Sequence, residues 1–164
     1  MSEQIIRTKH LKPEDGFHFR HPLNPNSDAQ FFRLSRPTGL TRAHVNLLRV
    51  PPGKEAFILH RHSVQEEWSY IVEGEGTAQI GEEKTRVTAG DFIAFPLNGK
   101  AHTIVNTGTS DLVYLTGGDD TPTEIGHFPS INKKIIFSEA GVDIIDTSAA
   151  KHYSLEDFIS GNLK

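Results

Sequence analysis

GKEAFILHRHSVQEEWSYIVEGEG, residues 53–76, is the stretch on which the fold turns. Its second half, WSYIVEG, alternates side chains with a period of two and ends in glycines, which is the pattern of a strand running into a tight turn. In its first half His60 and His62 are two residues apart. On a strand both imidazoles then point to one face, while Leu59 and Arg61 point to the other. The chain turns through residues 63–66, and Glu67 opens the next run. If the two runs pair as a hairpin, Glu67 faces the same interior as the two imidazoles. Glu66, its neighbour, faces out. A second stretch, GDFIAFPLNGKAHTIVN (90–106), brings His102 to the start of a strand just after a proline-glycine turn. A lone His-x-His is as readily structural as functional. The same pair with a spaced glutamate and a later histidine, all on strands, points to a metal site.

Working outward, short runs rich in Val, Ile, Tyr, Phe and Leu recur between residues 43 and 117, broken by Gly and Pro every ~8–12 residues. Strands are expected near 44–50, 56–62, 67–73, 77–80, 84–88, 92–95, 102–106 and 112–116, joined by turns such as PPG (51–53) and TAGD (88–91). About eight strands suffice to close a small barrel around one ligand. Residues 1–42, with the turn-rich HPLNPNS (21–27), read as an N-terminal arm packing on the barrel. Residues 118–164 read as a C-terminal extension with strand-like stretches at 135–137 and 142–145. It closes with a short helix capped by Ser154, with Leu155, Phe158, Ile159 and Leu163 on one face and Gly161 near its end. Such a helix is too short to stand alone and is expected to dock on the barrel or on a partner subunit.

Composition narrows the chemistry. A chain of 164 residues suits one core, since chains usually split only beyond ~200. Seventeen Lys and Arg against 21 Asp and Glu give a net charge of −4, which argues against a nucleic-acid partner. No apolar run approaches ~18 residues and the first ten residues carry no signal-like core, so a soluble, cytoplasmic protein with no membrane partner is expected. There are nine histidines and no cysteine. Disulfides, thiolate zinc sites, iron–sulfur clusters and a cysteine nucleophile are thereby excluded. Any metal must sit on histidine, carboxylate or carbonyl.

At these residues the sequence resembles the cupin superfamily. The first cupin motif is met by His60, His62, Glu67 and Gly74, with Gly53 one residue farther upstream than the pattern asks. The second is met by Gly90, Pro96, His102 and Asn106, with Gly99 one residue late. HPLNPNS, PPGKEAF, EEWSYIVEGEG and LVYLTGGDD together are similar to a branch of small single-domain bacterial cupins loosely described as sugar-phosphate isomerase-like. The resemblance implies an all-β fold, a double-stranded β-helix or jelly-roll cupin barrel, holding one metal on His60, His62, Glu67 and His102.

That ligand set suits one divalent transition metal per subunit, Mn, Fe, Ni, Co or Zn, with adjacent coordination positions left for a small oxygen-rich molecule. The function expected is a metal-dependent enzyme on a sugar or sugar phosphate, isomerase-like. An Fe- or Mn-dependent dioxygenase or decarboxylase, and a non-enzymatic small-molecule-binding cupin, are the alternatives. Since Glu67 is a ligand and so a compromised base, His44 is the named candidate for moving a proton. His44, Asn46 and Leu48 share one face of their strand, which makes Asn46 a candidate substrate contact if that face looks inward. Lys100, in a turn beside a ligand segment, is a candidate for an anionic substrate group, although a turn lysine is more often just solvated. Trp68 and Tyr70 alternate with Glu67 and project from the barrel exterior with Leu59. Exposed aromatics of this kind mark an interface, and a homodimer is expected.

Overall fold

Strand-forming runs separated by glycine and proline organise the chain as the patterning requires. The computed structural model describes residues 4–163, and thirteen strands form among them. In chain order these are β1 (Phe17–Phe19), β2 (Ala29–Arg33), β3 (Ala43–Val50), β4 (Arg61–His62), β5 (Glu67–Glu73), β6 (Glu75–Ile80) and β7 (Glu83–Thr88). There follow β8 (Phe92–Phe95), β9 (His102–Val105), β10 (Leu112–Asp119), β11 (Glu124–Phe128), β12 (Lys133–Ser138) and β13 (Gly141–Asp146), then one helix, α1 (Leu155–Ser160). They build three antiparallel sheets, ordered β1-β2-β3-β10-β5-β8, β13-β12-β11-β4 and β7-β6-β9. The architecture is the jelly-roll barrel of a double-stranded β-helix.

The barrel interior follows from strand alternation. Leu48 of β3, Ile71 of β5, Ile93 and Phe95 of β8, Ile104 of β9 and Tyr114 of β10 form one buried cluster. On the opposite face of the large sheet, Leu47, Val113 and Phe32 form a second, covered in part by Leu11 and Leu34 from the N-terminal residues. His44 and Asn46 therefore look inward with Leu48.

The stretch read as an arm does more than pack. Its β1 and β2 extend the large sheet from the free edge of β3, with Phe31 opposite Leu48 and Arg33 opposite Asn46. HPLNPNS is the clamp that sets this up. Asn24 Nδ2 donates to Glu55 at 3.0 Å, Asn26 Nδ2 donates to the Gly53 carbonyl at 3.2 Å, and Ser27 Oγ donates to the Ala56 carbonyl at 2.7 Å.

That clamp also explains a departure. A strand is expected over 56–62, but the chain is irregular there apart from a bridge at His60, and only Arg61–His62 is strand. The polar groups of this segment are already engaged: the Phe57 carbonyl accepts from Thr103 Oγ1 and the Glu55 carbonyl accepts from Asp28 N–H. Nor do residues 61–62 pair with β5 as a hairpin. β4 lies against β11, with His62 opposite Gly126, while both edges of β5 are taken by β10 and β8. Glu67 thus reaches the histidines from a different sheet. The helix forms as its capping residues dictate, with Ser154 Oγ accepting from Asp157 N–H at 3.0 Å and Gly161 closing it at φ +75°. It does not dock on the barrel, since Leu155, Phe158 and Ile159 are all exposed, which leaves a partner subunit as the expected docking surface.

Candidate metal centre

Three segments deliver the four side chains of one group. His60 precedes β4 and exchanges two backbone hydrogen bonds with His102 at the head of β9, at 3.0 and 2.7 Å. This ties the two imidazoles side by side. His62 follows on the same face, and Glu67 opens β5. His60 Nε2 lies 3.1 Å from His62 Nε2, and Glu67 Oε2 lies 3.1 Å from His62 Nε2 and 3.3 Å from His102 Nε2. One ligand atom from each of the four residues falls within 4.8 Å of all the others. Phe95 stacks on His102 with ring centroids 3.7 Å apart, and Phe128 lies nearly parallel to His60 at 5.6 Å, so both rings are held in place by packing.

The tautomers follow from what the outer nitrogens meet. His60 Nδ1 donates to the Ile58 carbonyl at 2.7 Å and His102 Nδ1 to the Lys100 carbonyl at 3.4 Å. Their Nε2 atoms are then unprotonated and present lone pairs to the centre. Two such nitrogens beside a carboxylate oxygen need a positive centre among them, and a divalent metal ion supplies one. The donor set fits the metal that the fold implies.

The electrostatics favour a neutral His60 and an ionised Glu67. Burial drives His60 down to about 3, with His102 and His62 adding to the shift and Glu67 opposing it. Burial works against a charged His62 as well, but the hydrogen bond with Glu67 and the charges of Glu67 and Glu124 outweigh it and raise this histidine. For Glu67 burial would raise the carboxyl, yet the neighbouring His102, His62 and His60 outweigh it and hold it well below the usual carboxylate range in the metal-free protein.

Several contributors gave no sequence signal. Thr116 of β10 donates to Glu67 Oε1 at 2.9 Å, which leaves Oε2 free for the centre. Glu124 of β11 is 4% exposed and accepts backbone N–H groups of Ser63, Val64 and Gln65. Its Oε1 stands 3.7 Å from His62 Nδ1, a buried atom without a hydrogen-bond partner inside normal range. Such a carboxylate behind a ligating histidine fixes the ring and strengthens it as a donor. Tyr114, Ser69 and Thr116 line a void of about 20 Å³ against His60, Glu67 and His102. Burial, then the charges of Glu67 and Glu55, push the Tyr114 hydroxyl well up, so it stays protonated.

His44 and Asn46 both line a cavity of about 340 Å³ next to the centre. His44 Nδ1 donates to the Asp119 carbonyl at 3.0 Å, leaving Nε2 as an acceptor 4.0 Å from Glu67 Oε1. Phe57 lines both this cavity and the smaller void. Lys100 is placed elsewhere: it is exposed, its side chain lies over Gly81, and neither cavity includes it. Glu66 is exposed, as expected, with its backbone N–H on Asp119.

Fold and geometry together define the class: a jelly-roll barrel enclosing a cluster of three histidines and one glutamate that could hold a metal ion. The family model described as the cupin domain matches residues 46–117, which contain His60, His62, Glu67 and His102. An uncharacterised protein of Methanocaldococcus jannaschii is 32% identical over 117 residues, 68% of this chain and 84% of that protein. The oxalate-binding protein of Thermotoga maritima is 37% identical over 68 residues, 42% of this chain, and the match spans only 54% of that relative's length. The crystal structure of a candidate sugar phosphate isomerase from Acidithiobacillus ferrooxidans superposes with a TM-score of 0.86 at 26% identity, covering 93% of this chain and 97% of the other. The chain belongs to the cupin superfamily.

Proposed function

We propose that the protein is a metal-dependent enzyme of isomerase type, acting in the cytoplasm on a small oxygen-rich molecule such as a sugar or sugar phosphate. The observation that carries this reading is the convergence of four candidate ligand atoms beside a cavity lined by His44, whose Nε2 is 4.0 Å from Glu67 Oε1. A divalent metal on His60, His62, Glu67 and His102 would supply Lewis acidity to neighbouring substrate oxygens. The remaining work falls to the chain itself. His44, kept in one tautomer by Asp119, accepts a proton at Nε2. Asn46 offers an amide to a substrate hydroxyl. Thr116 fixes the Glu67 carboxylate, and Phe57 excludes water between cavity and centre. The structural likeness to a candidate sugar phosphate isomerase supports the substrate class.

The protein reconstituted separately with Mn, Fe, Co, Ni and Zn is to be offered aldose and ketose phosphates. Turnover with at least one metal, reduced ~10²–10⁴-fold in His44→Asn, is the expected result. No turnover with any pair contradicts the isomerase reading. The likeness to an oxalate-binding protein favours one second reading, a binding module that holds a small dianion without turnover. It stands if ligand affinity is measurable in the same preparations and no substrate is converted.

A further inference from the structure

The 340 Å³ cavity beside the metal centre has three kinds of lining. His44 and Phe57 join it to the ligand group. Arg33 and Arg36, both exposed, give it positive charge. Phe17, Phe19, Phe31 and Phe57 form an aromatic wall, packed edge and face at centroid separations of 5.0–6.3 Å. Strand alternation puts Arg33 there: Ala29 enters the barrel core from β2, so Phe31 and Arg33 follow it on the inner face. Arg33 sits opposite Asn46, and its guanidinium lies 5.2 Å from the Phe17 ring centroid. Arg36 opens the short 3₁₀ turn Arg36–Thr38. Among the described residues neither arginine has a carboxylate within ion-pair distance. Asp120 is the acidic side chain on the lining, so two fixed positive charges face one negative.

We infer that Arg33 and Arg36 form an anion subsite that holds the terminal phosphate or carboxylate of the substrate, while its carbon skeleton lies on the phenylalanine wall and its other end faces the metal centre. This rests on the metal-enzyme reading and extends it. The site needs a cationic group for such a substrate, and Lys100 lies away from the cavity. A planar guanidinium suits a phosphate or carboxylate better than a lysine in any case, because it pairs two oxygens at once. Phenylalanines left partly exposed are also a cost that a bound ligand removes. The specificity of the barrel would then be set by the N-terminal strands that the sequence pattern suggests are only a covering arm.

The test compares three molecules that share a ring and differ at one terminus: glucose 6-phosphate, glucuronate and glucose. Binding to the metal-loaded protein is measured by calorimetry at two salt concentrations, in the wild type and in the Arg33→Gln/Arg36→Gln double variant. Metal content and melting temperature are recorded for both proteins. At least one charged sugar is expected to bind tenfold or more tightly than glucose, with the advantage shrinking in salt and lost in the double variant while metal content is unchanged. Which charged sugar shows it separates phosphate from carboxylate. No preference for either charged sugar in the wild type, including no binding at all, overturns the subsite. So does an advantage that survives both substitutions. Failure of the metal reading shows separately, as a wild type that takes up no metal.

Discussion

At the scale of single residues, the site depends on groups that hold the ligands as much as on the ligands. Glu124 is the sharpest case, since it stands 3.7 Å from His62 Nδ1 and also gathers the backbone N–H groups of the turn before β5. Glu124→Gln keeps the shape and removes the charge, and metal affinity is expected to fall ~10–100-fold by competition with a chelator. Unchanged affinity would remove Glu124 from the centre. A second prediction concerns acid. In the metal-free protein His60 is held down at about 3, below its ordinary 6.5. Between those values the unfolded chain takes up a proton that the folded protein refuses, so this residue contributes stability that falls as pH drops from 6.5 towards 3. His60→Asn removes that contribution, and the melting temperature of the metal-free variant should fall less steeply over the same range than that of the wild type. Parallel curves would contradict the assignment.

At the scale of elements, β10 is the strand on which the site closes. Gly118 sits opposite both His44 on β3 and Glu67 on β5. A Cβ there would come within 2.2 Å of the Glu66 carbonyl and 3.0 Å of the His44 ring. Gly118→Ala must push the Glu66–Glu67 backbone aside, and a loss of ~1–3 kcal/mol in denaturant unfolding is expected, with weaker metal binding. A wild-type midpoint in the variant would count against this close approach. The same elements show what was legible in the sequence. β8 matches residues 92–95 because Gly90-Asp91 and Pro96 bound the short apolar run FIAF, of which Ile93 and Phe95 turn inward. The cluster of His60, His62, Glu67 and His102 was legible because its members flank two turns. β11 was not: its EIGHF carries a glycine at its centre and lies between Pro122 and Pro129, so nothing in the pattern favours a strand, yet it supplies Glu124. β2 was hidden by the proline-rich stretch before it, and with it Arg33. Such residues become visible only through long-range strand pairing, which no local period encodes.

At the scale of the whole molecule, apolar exterior surface is left over. Tyr70, Val72 and Phe92 are exposed on the outside of the large sheet, with Trp68 stacked on Phe92 at 6.1 Å. β13 is an edge strand exposed along its length, and α1 carries Leu155, Phe158 and Ile159 into solvent. No helix among the described residues is long and apolar enough to cross a membrane. A second copy of the chain would bury such surface, and sedimentation at micromolar concentration is expected to report a homodimer; a monomer alone would defeat that expectation. The central claim is the metal centre itself, and elemental analysis of the purified protein beside a His102→Ala variant tests it most directly. About one equivalent of a divalent transition metal per chain in the wild type, lost or sharply reduced in the variant, is the predicted result. Equal metal content in both proteins, or none in the wild type after reconstitution, would contradict it.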